Sequence, residues 1–205
     1  MISRAELKMQ AKEQMKGNLG MIVLGGIIYF AIVLVFSFIP YIGTIGSIIV
    51  APPLMLGLYK MFLNVTYGDK AEVSTIFEPF QTCFASSVIL NLLVGIFTFL
   101  WSLLLIIPGI IKSYAYSMSF YILAENPNMS ASDAITESKT IMDGHKMDLF
   151  VLMLSFIPWI VLCVFTFGLG YIFVLPYMQL TMTNFYHNVK RQSKPAIEEN
   201  AYVVE

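Results

Sequence analysis

The chain has 205 residues, of which 58% are hydrophobic and 12% are charged; the formal net charge is −1 and the mean hydropathy is +0.75. Soluble domains carry about 25% charged residues, so this composition excludes an ordinary water-soluble domain. The sequence contains no basic patch, which argues against nucleic acid as a partner.

Long apolar runs predict an all-α fold of six transmembrane helices. A membrane span needs about 20 apolar residues. Runs of this kind cover residues 19–38, 46–66, 82–100, 103–124, 147–166 and 171–188. Residues 1–190 therefore form one predicted membrane domain with no separate soluble catalytic domain. We expect residues 191–205 to be a disordered cytoplasmic tail.

The basic residues predict how the spans are oriented. Apart from Lys112, they lie in the N-terminal segment, beside or within alternate connections and after the last run; Lys60 and Lys70 flank the second connection. The other connections, near residues 40–45, 101–106 and 167–170, carry no charge. This is the positive-inside pattern. It predicts a multi-pass protein of the bacterial plasma membrane with both termini in the cytoplasm.

Two polar segments predict short amphipathic helices on the cytoplasmic side. Ser3 and Glu6 have the spacing of a capping box, and Ser130 and Asp133 form a looser version. After Ser130, six residues share one face at helical spacing: Ala131, Ala134, Ile135, Ser138, Ile141 and Met142. We expect this face to pack on the cytoplasmic ends of the bundle.

The chain is also consistent with three helical-hairpin repeats. Each repeat would contain a polar lead-in, an outward span, an uncharged turn and a return span. The return spans would be interrupted by Pro52-Pro53, Pro108 and Pro176. Because any six-span protein divides into three hairpins, the simpler interpretation without repeats stays open.

Lys112 is the sharpest candidate for a ligand-binding residue. If the fourth span begins near residue 103, Lys112 lies about 20 Å from Glu125 at the cytoplasmic edge. A charge at that depth is costly unless it is paired or hydrated. Lys112 could then bind a lipid phosphate or a ligand carboxylate. If the span begins at Pro108 instead, the ammonium reaches the outer headgroups.

Hydroxyl residues near Lys112 extend this candidate site. Ser113, Tyr116 and Ser117 share one side of the helix, and they could form a polar groove for a headgroup or a peptide. Small hydroxyl residues are also typical of plain packing between transmembrane helices. Both interpretations stay open.

Metal binding and catalysis have little support in the sequence. His145 and His187 are the two histidines, but the stretch around His145 has no recognised zinc spacing. Gly144 is better interpreted as a helix C-cap. Catalytic templates such as Gly-x-Ser-x-Gly and His-Glu-x-x-His are absent. We therefore predict no metal, no cofactor and no enzymatic activity.

Several motifs together resemble a known family. They are Pro108-Gly109-Ile110-Ile111-Lys112, then Tyr121 to Pro127 with Glu125, then Ala134-Ile135 with Ser138, and Gly144-His145-Lys146. This pattern, with the opening Glu6-Leu7-Lys8 and Lys16-Gly17-Asn18, resembles a bacterial membrane family, domain of unknown function number 975. It is more loosely similar to the membrane domain of some glycerophosphodiester phosphodiesterases.

The resemblance implies a six-span plasma-membrane protein, and it marks Glu125, Ser138, Gly144 and His145 as a cytoplasmic motif. For function, we expect a non-enzymatic protein that binds lipid or another amphiphile, or that scaffolds envelope proteins. The expected partners are membrane lipids and other membrane or envelope proteins. The alternative is a transporter or permease-like subunit with a site around Lys112.

Overall fold

Every regular element that the structure describes is helical, which confirms the all-α prediction. The structure is a computed structural model that describes residues 2–39, 42–104, 106–166 and 168–201. Parts of the three predicted uncharged turns, at residues 40, 41, 105 and 167, lie outside the described residues. So does the end of the predicted tail, at residues 202–205.

The first third of the chain contains a short helix followed by two long ones. They are α1 (Arg4–Met15), α2 (Leu19–Ser37) and α3 (Ile42–Tyr67). The Ser3 hydroxyl accepts a hydrogen bond from the Glu6 amide at 3.2 Å, so the predicted N-cap is confirmed. Helix α3 continues through Pro52 and Pro53.

The middle third differs from its prediction in two respects. After a 3₁₀ helix (Val73–Ile76) come α4 (Pro79–Thr82), α5 (Phe84–Leu104), α6 (Ile106–Tyr116) and α7 (Ser119–Glu125). The predicted fourth span, 103–124, is therefore not one continuous helix. Because α6 begins at Ile106, Pro108 lies in its first turn, where proline is tolerated, and it does not interrupt a helix as expected.

The last third also contains a broken helix. Its elements are α8 (Ala131–Ile141), α9 (Lys146–Leu154), α10 (Ile157–Phe165) and α11 (Tyr171–Ala201). The break between α9 and α10 falls just before Pro158, which cannot donate a backbone hydrogen bond. Helix α11 continues to Ala201, so the stretch expected to be a disordered tail is helical as far as that residue.

Four stretches of the described residues are long and apolar enough to cross a membrane. They are Leu19–Phe36, Gly46–Tyr67, Phe84–Leu103 and Lys146–Phe165. Large apolar side chains face outward on these stretches: Phe30 is 62% exposed, Phe99 65% and Phe165 77%. Apolar surface of this extent would be unfavourable in water. These helices therefore indicate a membrane protein.

The core is centred on the short helix α7. Its residues Ser119 to Ala124 are all buried, and it packs against α3, α5 and α8. The Tyr121 and Tyr186 rings stack there with their centroids 5.3 Å apart. The six residues predicted to share one face of α8 are all buried, which confirms that face. The apolar surface of α8 is therefore covered by the chain itself.

A close approach holds the 3₁₀ helix against α3. A Cβ atom on Gly57 would lie 2.2 Å from the Ile76 carbonyl oxygen. Only glycine leaves enough room for backbone to pack this closely. Nearby, the Lys60 ammonium pairs with Glu78 at 2.5 Å. Lys60 was predicted to flank the second connection, but it lies within the membrane-capable stretch Gly46–Tyr67. Its charge is matched there by the Glu78 carboxylate from that connection.

Polar contacts bring the basic segments of the chain together. The Asn18 side chain accepts a hydrogen bond from the Ala71 amide at 3.0 Å, which joins the end of the first lead-in to the second connection. Glu125, at the start of the fourth connection, pairs with Lys190 near the end of the chain. The Tyr67 hydroxyl, at the start of the second connection, also donates to Glu125. The N-terminal segment, two alternate connections and the C-terminal segment are therefore linked to one another.

Candidate functional site

The residues predicted around Lys112 each make a different contact. The Lys112 ammonium lies 4.7 Å from the centre of the Trp101 ring, close to the turn between α5 and α6. The hydroxyls of Ser113 and Ser117 each donate to a carbonyl of α6 at 2.7 Å, and Tyr116 is buried. None of the four predicted residues lines either cavity described below.

The predicted cytoplasmic motif is likewise spread over separate contacts. The Ser138 hydroxyl donates to the Ala115 carbonyl at 2.7 Å and so fixes α8 to α6. Gly144 adopts a φ of +77° in the turn after α8, but the C-cap of α8 is Met142, two residues before the predicted capping residue. His145 Nδ1 lies 3.4 Å from Asp148 Oδ2. The described residues hold no cluster of three or more side chains suited to a metal ion.

Glu125 is the most highly connected member of the motif. Its carboxylate accepts hydrogen bonds from Tyr67, from Tyr186 at 2.5 Å and from Lys190. These partners belong to α3 and α11, whereas Glu125 ends α7. One carboxylate therefore joins three helices.

The surroundings of Glu125 keep it ionised. Burial alone would raise the pKa of its carboxyl group, but the hydrogen bonds from Lys190, Tyr186 and Tyr67 and the charge of Lys190 outweigh burial. The pKa is therefore lowered from its ordinary value. At neutral pH the group is an anion whose charge is matched by Lys190.

An apolar groove opens between α2, α3 and α11. Its volume is about 490 Å³, which lies in the range of small-molecule sites. Apolar side chains from all three helices line it, among them Ile27, Phe30, Met55, Leu58, Ile172 and Leu175. Its polar lining side chains are Tyr29, Tyr59, Tyr171 and Gln179. The groove thus offers a long apolar surface with a few polar groups.

The polar groups of the groove are held in place by the core. The Gln179 amide donates to the Tyr121 hydroxyl at 2.8 Å. The Tyr59 ring meets the Tyr121 ring edge to face, with centroids 4.6 Å apart. Tyr59 and Gln179 therefore have fixed orientations, as a binding site requires.

A second, polar cavity lies between α1, α3 and α11. Its volume is about 440 Å³, and its lining includes Gln10, Gln14, Asn184, His187, Asn188 and Arg191. Gln14 and Asn184 exchange two amide hydrogen bonds, at 3.1 and 2.8 Å. His187 lies 2.7 Å from the Thr66 hydroxyl. Amides, a histidine and a guanidinium thus form most of this wall.

The groove and the polar cavity follow one another along the same two helices. On α3, Phe62 lines the groove and Thr66 lines the cavity, one helical turn or about 6 Å apart. On α11, Gln179 and Asn184 are about 7.5 Å apart along the axis. Neither site was predicted from the sequence, because both combine residues far apart in the chain. The one signal was the density of polar residues in the last predicted span.

Comparison with known proteins decides the family. The family model described as protein of unknown function DUF975 matches residues 1–112 and 102–193. Together these matches run from the first residue to residue 193 of 205. The chain belongs to the DUF975 family.

Membership in DUF975 confirms the resemblance drawn from the sequence motifs, but it assigns no activity, because the function of the family is unknown. No curated protein and no solved structure matches the chain significantly. The function of this DUF975 protein must therefore be argued from its own residues.

Proposed function

We propose that this DUF975 protein is a non-enzymatic, six-span protein of the bacterial plasma membrane that binds a lipid or another amphiphile. The observation that carries the proposal is the apolar groove between α2, α3 and α11, with Tyr59 and Gln179 as fixed polar groups. An apolar chain would lie along Ile27, Met55 and Leu175. A polar group of the ligand would meet the Tyr59 hydroxyl and the Gln179 amide.

The proposed topology is supported by the contacts among the basic segments. The positive-inside pattern requires the N-terminus, two alternate connections and the C-terminus to share one side. Asn18 binds Ala71, and Glu125 binds Tyr67 and Lys190. These contacts fit a single cytoplasmic end for all four segments.

Lipid binding has more support than a scaffolding role. A scaffold built on α1 and α8 would need free apolar faces for its partners. Leu7 and Ala11 of α1 are buried within the chain, as are the six apolar-face residues of α8. The groove, by contrast, presents apolar side chains that the chain leaves exposed, among them Ile27 and Phe30.

The transporter alternative depends on a site around Lys112. No cavity described above includes that residue, and the contact with Trp101 supports a position near the outer interface. Transport through a Lys112 site and the similarity to phosphodiesterase membrane domains both stay predictions.

Filling the groove tests the proposal. Gly26 lines the groove, and a Cβ atom there would meet no other atom within 4 Å. Gly26→Phe should therefore occupy the groove without disturbing the core. Gly20→Phe is the matched control, because Gly20 lies on the same helix, has the same free space and does not line the groove.

The readout is the number of lipid molecules that each detergent-purified variant retains, measured by native mass spectrometry. We expect Gly26→Phe to lose bound lipid that the unaltered chain and Gly20→Phe keep. Equal retention by all three proteins would contradict binding in the groove. Equal melting temperatures of the two variants would show that any loss of lipid does not come from unfolding.

A further inference from the structure

We infer that the polar cavity between α1, α3 and α11 is a binding site for an anionic phosphate or carboxylate group. The inference rests on the donors of this cavity and does not depend on the apolar groove. It goes beyond the proposed function because it adds a second site with a different chemistry.

Asn188 supplies the first observation. The residue is only 7% exposed and lines the cavity. Its Oδ1 atom accepts a hydrogen bond from the Gln192 amide at 3.0 Å, whereas its Nδ2 atom is buried without a partner among the described residues. Buried donors of folded proteins are nearly always paired. An acceptor supplied by a ligand would pair this one.

Arg191 supplies the second observation. The residue lines the same cavity, and its guanidinium group takes part in no ion pair among the described residues. The nearby carboxylate, Glu125, is already engaged by Lys190 and two tyrosine hydroxyls. Arginine binds phosphate and carboxylate groups through paired, charge-assisted hydrogen bonds. A free guanidinium beside a free amide therefore favours an oxyanion.

The rest of the cavity fits this assignment. Its lining contains no Asp or Glu, so nothing in the wall repels an anion directly. Gln14 and Asn184 satisfy one another and so form a fixed wall. The volume of about 440 Å³ would hold a group of the size of a glycerol phosphate. The anion could come from a lipid headgroup or from a free phosphate compound, and the experiment separates the two sources.

The test measures anion affinity of the full chain in a neutral detergent, from the rise of its melting temperature with ligand concentration. The probes are inorganic phosphate and dihexanoyl phosphatidylglycerol, with dihexanoyl phosphatidylcholine as the comparator without net charge. Arg191→Gln and Asn188→Ala remove the two donors. Arg4→Gln is the matched control, because Arg4 is exposed and does not line the cavity.

We expect at least one anionic probe to bind. Arg191→Gln and Asn188→Ala should each reduce its affinity about tenfold, as the loss of a charge-assisted hydrogen bond implies. Arg4→Gln should leave the affinity unchanged. Binding of phosphate and of the anionic lipid alike would identify a site for free anions. Binding of the anionic lipid alone would identify a headgroup site. Asn188→Ala also removes the acceptor of the Gln192 amide, so the rise in melting temperature of each variant is measured from its own value without ligand.

Three results would overturn the inference: no binding of either anion, equal loss in Arg4→Gln and Arg191→Gln, or an unchanged affinity in Asn188→Ala. Should Arg191→Gln fail to fold, Asn188→Ala decides alone. The anion site and the lipid groove are tested independently, because Gly26→Phe should reduce lipid retention without changing phosphate affinity.

Discussion

Replacing Glu125 by Gln removes the carboxylate that joins α3, α7 and α11 while keeping the size of the side chain. The change leaves Lys190 without its counter-charge, and it weakens the acceptor of the Tyr67 and Tyr186 hydroxyls. We therefore expect Glu125→Gln to destabilise the folded chain through the loss of one half-buried ion pair.

The expected size of this effect follows from the exposure of the pair. The Glu125 side chain is 17% exposed and that of Lys190 21%. Removing one partner of a fully buried pair costs about 3–5 kcal/mol, whereas exposed pairs contribute less than about 1 kcal/mol. We expect a loss of about 2 kcal/mol in the free energy of unfolding. For a chain of this size that corresponds to roughly 4–8 °C in melting temperature.

The effect should depend on pH in a defined direction. The pKa of Glu125 is lower in the folded chain than its ordinary value of 4.5, so its stabilising contribution is complete above that value. The contribution is lost as the pH falls through the pKa of the folded state. The difference in melting temperature between the unaltered chain and Glu125→Gln should stay constant from neutral pH down to 4.5. It should narrow below that.

The assay is thermal unfolding of the detergent-purified proteins, with Glu13→Gln as the control for an exposed carboxylate. Equal melting temperatures of Glu125→Gln and Glu13→Gln at neutral pH would refute the argument. A difference that widens on acidification would refute the assigned ionisation of Glu125.

Three further predictions concern other parts of the chain. Gly57→Ala places a methyl group against the backbone of the 3₁₀ helix and should lower the free energy of unfolding by about 1–3 kcal/mol. The control Gly20→Ala should leave it unchanged, and the melting temperatures of both variants check this. Lys112→Met should change the free energy of unfolding by no more than about 1 kcal/mol, because the contact that it removes is the one between the ammonium and the Trp101 ring. A larger loss of stability would indicate a buried charge site. In a chain without its native cysteines, Lys70→Cys should react with a membrane-impermeant thiol reagent only in inverted vesicles, and labelling of intact cells would contradict the proposed topology.

The sequence predicted the features that depend on local spacing. The N-caps at Ser3 and Ser130 and the buried face of α8 follow from residues within a few positions of one another, and all are confirmed. The break between α6 and α7 was not predicted. The two residues at the break, Ser117 and Met118, are neither proline nor glycine. Neither hydropathy nor a helix-breaking residue therefore marked the break in the sequence.

The partners of Glu125 could not be predicted from the sequence, for a different reason. Tyr67 and Lys190 lie 58 and 65 residues away along the chain. A single sequence gives no measure of such distances, and each of these residues alone is an ordinary surface polar group. The groove and the polar cavity share this limit, since each is built from three helices.

The polarity of α11 bears directly on how many helices cross the membrane. This helix is missing from the apolar stretches named above, yet several of its polar side chains are bonded within the chain. Gln179 donates to Tyr121, and Asn184 exchanges hydrogen bonds with Gln14. Thr181 and Thr183 donate to carbonyls of their own helix, at 2.7 and 2.9 Å. Polar groups satisfied in this way are tolerated inside a membrane. Hydropathy counts each of them as if it faced lipid, and therefore underestimates a helix whose polar face is turned inward.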